Sequence, residues 1–332
     1  MKTISLGVEN LCVPCHAYCR YCLLSSCGKS AGVDYERGKR FAKRLYEEIQ
    51  AKRPELGFFY YIGYCMDDEN LMDYIRFTQE IGSPSGRFLQ LNGLRLRDET
   101  KTERFVSELV SAGTELIDLT FYGTKEYHDR FAGRAGDFDF LLRILKTAKQ
   151  QGLNVRISIP ATKENLSQLD ELIGMLKAYG VGEIAVFLPH SKGRGRSLDA
   201  LRLTADDLGR LSDRVRSHLS NHRTEGEWLS SEHLEMPATR VLTLSLTPDN
   251  IEQLEAMTLE EILTYLEILD DQYYEVLPSG EDLAGLYGNK DGTRLYRRLR
   301  DLQMEWQHRY LEEHHIEVWD MNDETHHFSV RQ

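Results

Sequence analysis

ENLCVPCHAYCRYCLLSSC, residues 9–27, follows the short apolar run TISLGV (3–8) and carries five of the chain's six cysteines. Cys15, Cys19 and Cys22 form a C-x3-C-x2-C set, and Cys12 and Cys27 flank it. Thiolates this close together in one loop can converge on a single metal centre. The preceding MKTISLGVENLC has one lysine but neither the apolar stretch nor the small-residue cleavage site of a secretory signal. A cytoplasmic location is therefore expected. In a reducing cytosol, clustered cysteines act as metal ligands or reactive thiols rather than as disulfides.

Working outward, apolar runs alternate with helical patterns as far as Pro189. After TISLGV, the segment DYERGKRFAKRLYEEIQ repeats Phe41, Leu45 and Ile49 every four residues, the mark of one buried helix face. GFFYYIGYC (57–65) and FLQLNGLRL (88–96) read as the second and third strands. DETKTERFVSELVSAG reads as a helix capped by Asp98 and stopped by Gly113. ELIDLTFYG (115–123), LNVRISIP (153–160) and EIAVFLP (183–189) supply three more strands, separated by helices that end at Gly152 and Gly180. Strands alternating with amphipathic helices predict right-handed βαβ units and a parallel sheet. Six units in about 190 residues fall short of a full eight-unit barrel. The expected fold is thus α/β, a partial (βα)6 TIM-like barrel over residues 1–196; an open doubly wound sheet is the alternative.

The texture changes after Pro189. HSKGRGRSLDALRL reads as a loop, Asp206 to Leu219 as a helix, and TRVLTLSLT (239–247) as a half-buried strand. Two long helical patterns follow, 251–274 and 293–314, and then IEVWDMND (316–323). Residues 197–332 are expected to form a mostly helical extension that caps the barrel or shapes the substrate site.

Cys15-His16-Ala17-Tyr18-Cys19-Arg20-Tyr21-Cys22 resembles the signature of the radical S-adenosylmethionine (SAM) superfamily, C-x3-C-x-aromatic-C, with Tyr21 as the aromatic. It lies just after the first strand, where that family places it. LQLNG (89–93), DLTFYGTKEYHDRFAGRAGDF (118–138), TKENLSQLDEL (162–172) and FLPHSKGRG (187–195) resemble segments of its peptide-modifying and cofactor-maturing branch. The resemblance spans about residues 4–196. It implies that Cys15, Cys19 and Cys22 bind three irons of a [4Fe–4S] cluster, leaving the fourth iron open to SAM. One electron then cleaves SAM to a 5′-deoxyadenosyl radical that abstracts hydrogen from a substrate. It also implies a flavodoxin- or ferredoxin-type electron donor. The implied substrate is a ribosomally made peptide; a small metabolite, such as a sugar or amino acid, is the alternative, because the cluster motif begins too early to leave room for an N-terminal leader-binding domain.

Further SAM contacts are carried over at Gly63, where the family often has Gly-Gly-Glu, and at Asn92, Arg156, Ser158 and Arg194. The chain departs from the branch in having no cysteine after Cys65, so that branch's auxiliary-cluster domain is not expected. Cys65 ends the second strand at the barrel mouth, where a thiol could donate hydrogen to a substrate radical; a buried, small apolar side chain is the alternative reading. Cys12 and Cys27 are expected to be bystanders.

Zinc is the rival for the cysteine loop. Its C-x2-C pairs are usually a dozen or more residues apart, whereas only three residues separate Cys15 from Cys19. The histidines His308, His314, His315, His326 and His327 are expected at the surface or an interface rather than on a metal. The acidic runs Asp67-Asp68-Glu69 and Asp270-Asp271 are expected to be solvated. A net charge of −12 speaks against a broad nucleic-acid footprint. With a mean hydropathy of −0.46 and no long apolar run, the sequence offers no membrane span.

Overall fold

The computed structural model describes residues 1–22, 31–63, 67–190, 193–219, 221–231, 238–289 and 292–316. The six expected strands form: β1 (Lys2–Glu9), β2 (Gly57–Tyr61), β3 (Phe88–Gln90), β4 (Leu116–Thr120), β5 (Asn154–Pro160) and β6 (Glu183–Phe187). The helices between them are α1 (Tyr35–Lys52), α2 (Leu71–Glu80), α3 (Glu99–Ala112), α4 (Lys125–Ala132), α5 (Asp137–Gln150) and α6 (Leu166–Ala178). The sequence reading named neither α2 nor α4. Both are short, although Leu71, Tyr74, Ile75 and Thr78 keep helical spacing and are buried.

Local chemistry sets the helix ends. Asp98 accepts a hydrogen bond from the Lys101 amide at 2.9 Å and so caps α3. Gly113 ends α3 at φ +99°, a conformation that favours glycine. Phe41, Leu45 and Ile49 of α1 are all buried, as their spacing predicts.

All barrel pairings are parallel. β3-β4-β5-β6 form one sheet, and β2-β1 pair with a seventh strand, Thr239–Ser245, to form another. Together they make an open partial barrel with helices on its outside. Between β2 and β3 the junction is made by side chains: Tyr74 and Ser85 hydroxyls donate to the Tyr60 carbonyl at 3.0 and 2.8 Å. The outward residues Leu6, Val8, Tyr60, Leu89, Ile117, Ile157 and Val186 are fully buried against the helices in one core. Each such burial contributes roughly 1.5–3 kcal/mol.

The extension departs from expectation in four places. Its strand joins the barrel edge beside β1, and Leu242, Leu244, Ile262 and Leu266 share the barrel core. GRGRSLDAL (193–201) is a 3-10 run rather than a loop. The helix expected over 206–219 is two short helices, Ala205–Leu208 and Asp213–Arg216. The long helix expected from 251 breaks into Ile251–Ala256 and Leu259–Val276, because Thr258 forms a capping box with Glu261. A separate small core around Trp228, Tyr296, Leu302 and Trp306 holds the last helix, Leu299–Glu313.

The acidic runs differ from expectation at Asp270 and Asp67, while Glu69 and Asp271 are exposed as expected. Asp270 is buried against Arg240 at 3.2 Å, and Asp271 meets the same guanidinium at 2.8 Å, which ties the seventh strand to its helix. Asp67 is buried too, paired with Arg97 and accepting from the Arg95 amide at 2.6 Å. No helix among the described residues is long and apolar enough to cross a membrane.

Candidate active site

The cysteine loop leaves β1 and crosses the strand ends with little regular structure of its own. It is instead held by backbone hydrogen bonds to several elements. The His16 amide donates to Gly93 after β3 at 2.8 Å. The Tyr18 and Arg20 amides donate to Ala132 and Phe131, at the end of α4, at 2.8 and 3.0 Å. Gly133 makes that approach possible. It ends α4 at φ +64°, and a Cβ there would lie 2.9 Å from Tyr18.

The Gly-Arg-Gly turn holds the loop from the other side. The Arg194 amide donates to the Cys22 carbonyl at 3.0 Å, and its Nε donates to the Cys19 carbonyl at 2.9 Å. The Arg194 guanidinium stacks 4.0 Å over the Tyr18 ring. Arg196 forms a two-pronged pair with Glu312 of the last helix, at 2.5 and 2.6 Å.

Cys19 is the thiol whose surroundings are best defined. The Tyr122 hydroxyl donates to its Sγ at 3.1 Å. Burial pushes the Cys19 thiol up to about 12, against the pull of that hydrogen bond. Behind Tyr122, its backbone amide donates to Nδ1 of His128 at 3.1 Å. Because an amide can only donate, Nδ1 carries no proton, and Nε2–H donates to Asp137 at 3.1 Å. Arg134 also pairs with Asp137, whose carboxyl His128 and Arg134 hold below its usual range despite burial. Tyr21 packs edge-on to Tyr122 with centroids 5.6 Å apart and also faces Phe131 and Phe187. Burial raises its phenol well above the usual range.

Toward the barrel interior, β4 and β5 pair Asp118 with Arg156 and Thr120 with Ser158. Arg156 Nε and Ser158 Oγ both donate to Oδ2 of Asp118, at 2.5 and 3.0 Å. Burial pushes the Asp118 carboxyl up against the pull of those two partners. The sequence reading picked out Arg156 and Ser158 but missed Asp118, their common partner. Its signal was an acid inside an otherwise apolar strand. The Asn92 amide accepts from the Thr120 amide at 2.7 Å and donates to the Thr120 carbonyl at 2.9 Å, so it extends the β3–β4 ladder. Gly63 lies buried just past β2 at φ +153°.

Comparisons with known proteins agree with this geometry. Matching relatives include the AdoMet-dependent heme synthase of Oleidesulfovibrio alaskensis, 24% identical over 203 residues, covering 58% of this chain and 47% of that protein. Mycofactocin maturase MftC of Mycobacterium tuberculosis is 28% identical over 206 residues, covering 60% and 48%. The chain thus spans about half the length of the curated relatives it matches. Among solved structures, Streptococcus suis SuiB bound to precursor peptide SuiA superposes with a TM-score of 0.53 at 11% identity, covering 78% of this chain and 62% of that one. No family model matches the chain. The cysteine signature stands at the end of β1 of a partial barrel. The chain is similar to proteins of the radical SAM superfamily. It resembles that superfamily's peptide-modifying and cofactor-maturing branch.

The donor set suits the cluster of a radical SAM protein. A cubane binds each thiolate to its own iron, so the sulfurs need not meet at one ion. Among the described residues, no three His, Cys, Asp or Glu side chains are already grouped around a single point. The buried Cys19 needs a cation to become a thiolate, and the Tyr122 hydroxyl is the kind of supporting donor that metal-bound sulfurs have. Cys12 packs against the core, with its Sγ 3.9 Å from the Ile62 carbonyl, and burial raises its thiol to about 12. His308 and His314 meet Glu312 and Tyr310 respectively. Cys27, Cys65, His326 and His327 lie outside the described residues.

Proposed function

We propose that the chain carries out radical SAM chemistry on a ribosomally made peptide. The observation that carries this is the cysteine loop itself, fixed at the strand ends by β3, α4 and the Gly-Arg-Gly turn, with Cys19 backed by Tyr122. Cys15, Cys19 and Cys22 would hold a [4Fe–4S] cluster. Bound with SAM, that cluster supplies one-electron cleavage of the sulfonium and hence hydrogen abstraction from the substrate.

The chain's own residues orient and enclose. Arg194 fixes the carbonyls of Cys19 and Cys22 and so the turn between two ligands. Tyr122 donates to the Cys19 sulfur, and the His128–Asp137–Arg134 chain locks Tyr122 in place. Tyr21, Phe131 and Phe187 wall the loop with rings and exclude water. Gly63, Asn92, Arg156 and Ser158 form the polar row along which SAM would lie. Cys65 is kept as the proposed hydrogen donor, and a flavodoxin- or ferredoxin-type protein as the electron source. The peptide assignment draws on the resemblance to MftC and on SuiB, which was solved with its precursor peptide.

The test is anaerobic reconstitution with iron and sulfide, then reductant and SAM, with mass spectrometry for 5′-deoxyadenosine. A brown protein that releases 5′-deoxyadenosine, and a colourless, inactive Cys15→Ala, are expected. A colourless wild type that holds zinc, or a brown one that binds SAM without cleaving it, would overturn the reading.

A further inference from the structure

One cation from the extension reaches the cluster side of the barrel with no ion pair to any described residue. Tyr21 of the cysteine loop faces Phe187 at the end of β6, with centroids 6.3 Å apart. The guanidinium of Arg297 lies 5.3 Å over that same Phe187 ring. Arg297 directly follows the two-residue strand Leu295–Tyr296, which pairs with Arg223–Thr224. Tyr296 is buried in the extension's small core, so side-chain alternation turns its neighbour the other way, toward the barrel.

Arg297 is half-buried and makes no hydrogen bond or ion pair with any described residue. Asp301, the acid that bears on it, is already engaged. Its Oδ1 takes both Arg298 Nε at 2.9 Å and His190 Nδ1 at 3.0 Å. Its Oδ2 is buried and has no hydrogen-bond partner among the described residues. Arg156, the other nearby cation, is spent on Asp118. Burial and the charges of Arg298 and Arg156 hold the Arg297 guanidinium below its usual range. Desolvating a cation without a partner costs free energy that an arriving anion returns. The open donor fork thus sits one aromatic ring away from the cluster loop, within electrostatic reach of Asp301 and its open acceptor.

We propose that Arg297 is a recognition residue for a carboxylate on the substrate peptide, an acidic side chain or a free carboxy terminus, with the open Oδ2 of Asp301 accepting an N–H from the same segment. Arginine's planar fork matches a carboxylate with two hydrogen bonds. The proposal rests on the peptide reading above.

The test is retention of a DNA-tagged random hexapeptide library by the full chain, reconstituted and saturated with SAM, followed by sequencing of the retained fraction. Wild type should enrich Asp, Glu or a free carboxy terminus over the amide equivalents by about tenfold, one charge-assisted contact's worth. Arg297→Gln should lose that enrichment, and Arg297→Lys should keep part of it. Circular-dichroism melts establish that both variants fold; if the glutamine variant does not, the lysine variant and Arg297→Met carry the test. Wild type that retains peptides without acid preference, or a glutamine variant with undiminished preference, overturns this inference alone. A wild type that retains no peptide overturns the peptide reading, and this inference with it. SAM supplies the other available carboxylate, so SAM affinity is measured in parallel by equilibrium dialysis. Tenfold weaker SAM binding in Arg297→Gln with intact library preference assigns the contact to SAM and overturns the proposal.

Discussion

The two sheets of the barrel have opposite interiors. On β4 and β5 the inward row is polar and interlocked: Asp118 gathers Arg156 and Ser158, and Asn92 clamps the backbone of Thr120. On β2 the inward row is aromatic, beside Ser5, Gly7 and the buried Glu9 of β1, whose carboxylate accepts from Ser245 Oγ at 3.2 Å. Phe59 and Tyr61 contact edge-to-face at 5.5 Å, and the Phe59 ring occupies the space that a side chain at Gly7 would take. The polar half is fixed mainly by directional bonds between strands, and the aromatic half mainly by shape, with the Ser245–Glu9 bond as its polar tie. Disturbing the first should therefore cost cofactor chemistry, and disturbing the second should cost mainly stability.

The largest expected effect is on the loop beside the polar half. Alanine at Cys15, Cys19 or Cys22 should take 5′-deoxyadenosine formation to background, read with visible absorbance and iron content. Retained colour and activity in all three would break the comparison at its root. Next is Tyr122→Phe, which keeps the ring packing but removes the hydroxyl that donates to Cys19. Losing a donor to a metal-bound sulfur should lower the cluster's reduction potential and slow SAM cleavage about 10- to 100-fold. An EPR-monitored redox titration unchanged from wild type would show that this hydrogen bond does not matter.

Asp118→Asn sharpens the comparison on the polar side. It leaves Arg156, partly exposed and still 4.0 Å from Glu183, without its buried carboxylate, and should cost about 1 kcal/mol. SAM affinity, measured by dialysis, should fall with it. Gly7→Ala is the aromatic counterpart. Its Cβ would lie 2.0 Å from the Phe59 ring, so Phe59 must move, at a cost of up to ~3 kcal/mol in urea denaturation. SAM affinity should hardly change. If Gly7→Ala instead abolished SAM binding while leaving the melt intact, the division between the two halves would be wrong.

This division also explains what the sequence disclosed. The strands were legible because their outward residues are apolar at a period of two, α1 because Phe41, Leu45 and Ile49 recur every four residues, and α3, α5 and α6 because Gly or Asp marks their ends. The cysteine set was legible because its members lie within eight residues of one another. Arg156 and Ser158 were found as inward polar residues of β5, but Asp118 was not, since its meaning depends on the β4–β5 register, which joins residues 38 and 40 positions apart. Asp270 and Asp67 were misread as solvated for the same reason. Their cationic partners, Arg240 and Arg97, are 30 residues away in sequence. The seventh strand was recognised as a strand, yet nothing in its composition says that it pairs with β1 from the far end of the chain. Arg194, expected near SAM, bonds the carbonyls of Cys19 and Cys22, a role its position in the sequence does not disclose.

The smallest expected effect on cofactor chemistry tests how the extension is fastened to the polar half. Asp301 joins His190, just past β6, to Arg298 of the extension. His190 and Arg298 pull its carboxyl from the ordinary 3.8 down to about 2, against the opposing effect of burial. A carboxyl depressed in the folded state stabilises the fold above its unfolded value, and that stabilisation is lost as pH falls through the folded value. The contribution is about 2 kcal/mol, fully present above roughly pH 5 and gone near pH 2. The cluster-free chain should therefore lose stability over that window, and Asp301→Asn should lose about 2 kcal/mol less across it. Urea melts from pH 5 to pH 2 read the difference. Parallel curves for wild type and variant would mean that the fastening lies elsewhere, in the Arg196–Glu312 pair or the small aromatic core, and that the extension rests on the barrel by shape, as the aromatic half does.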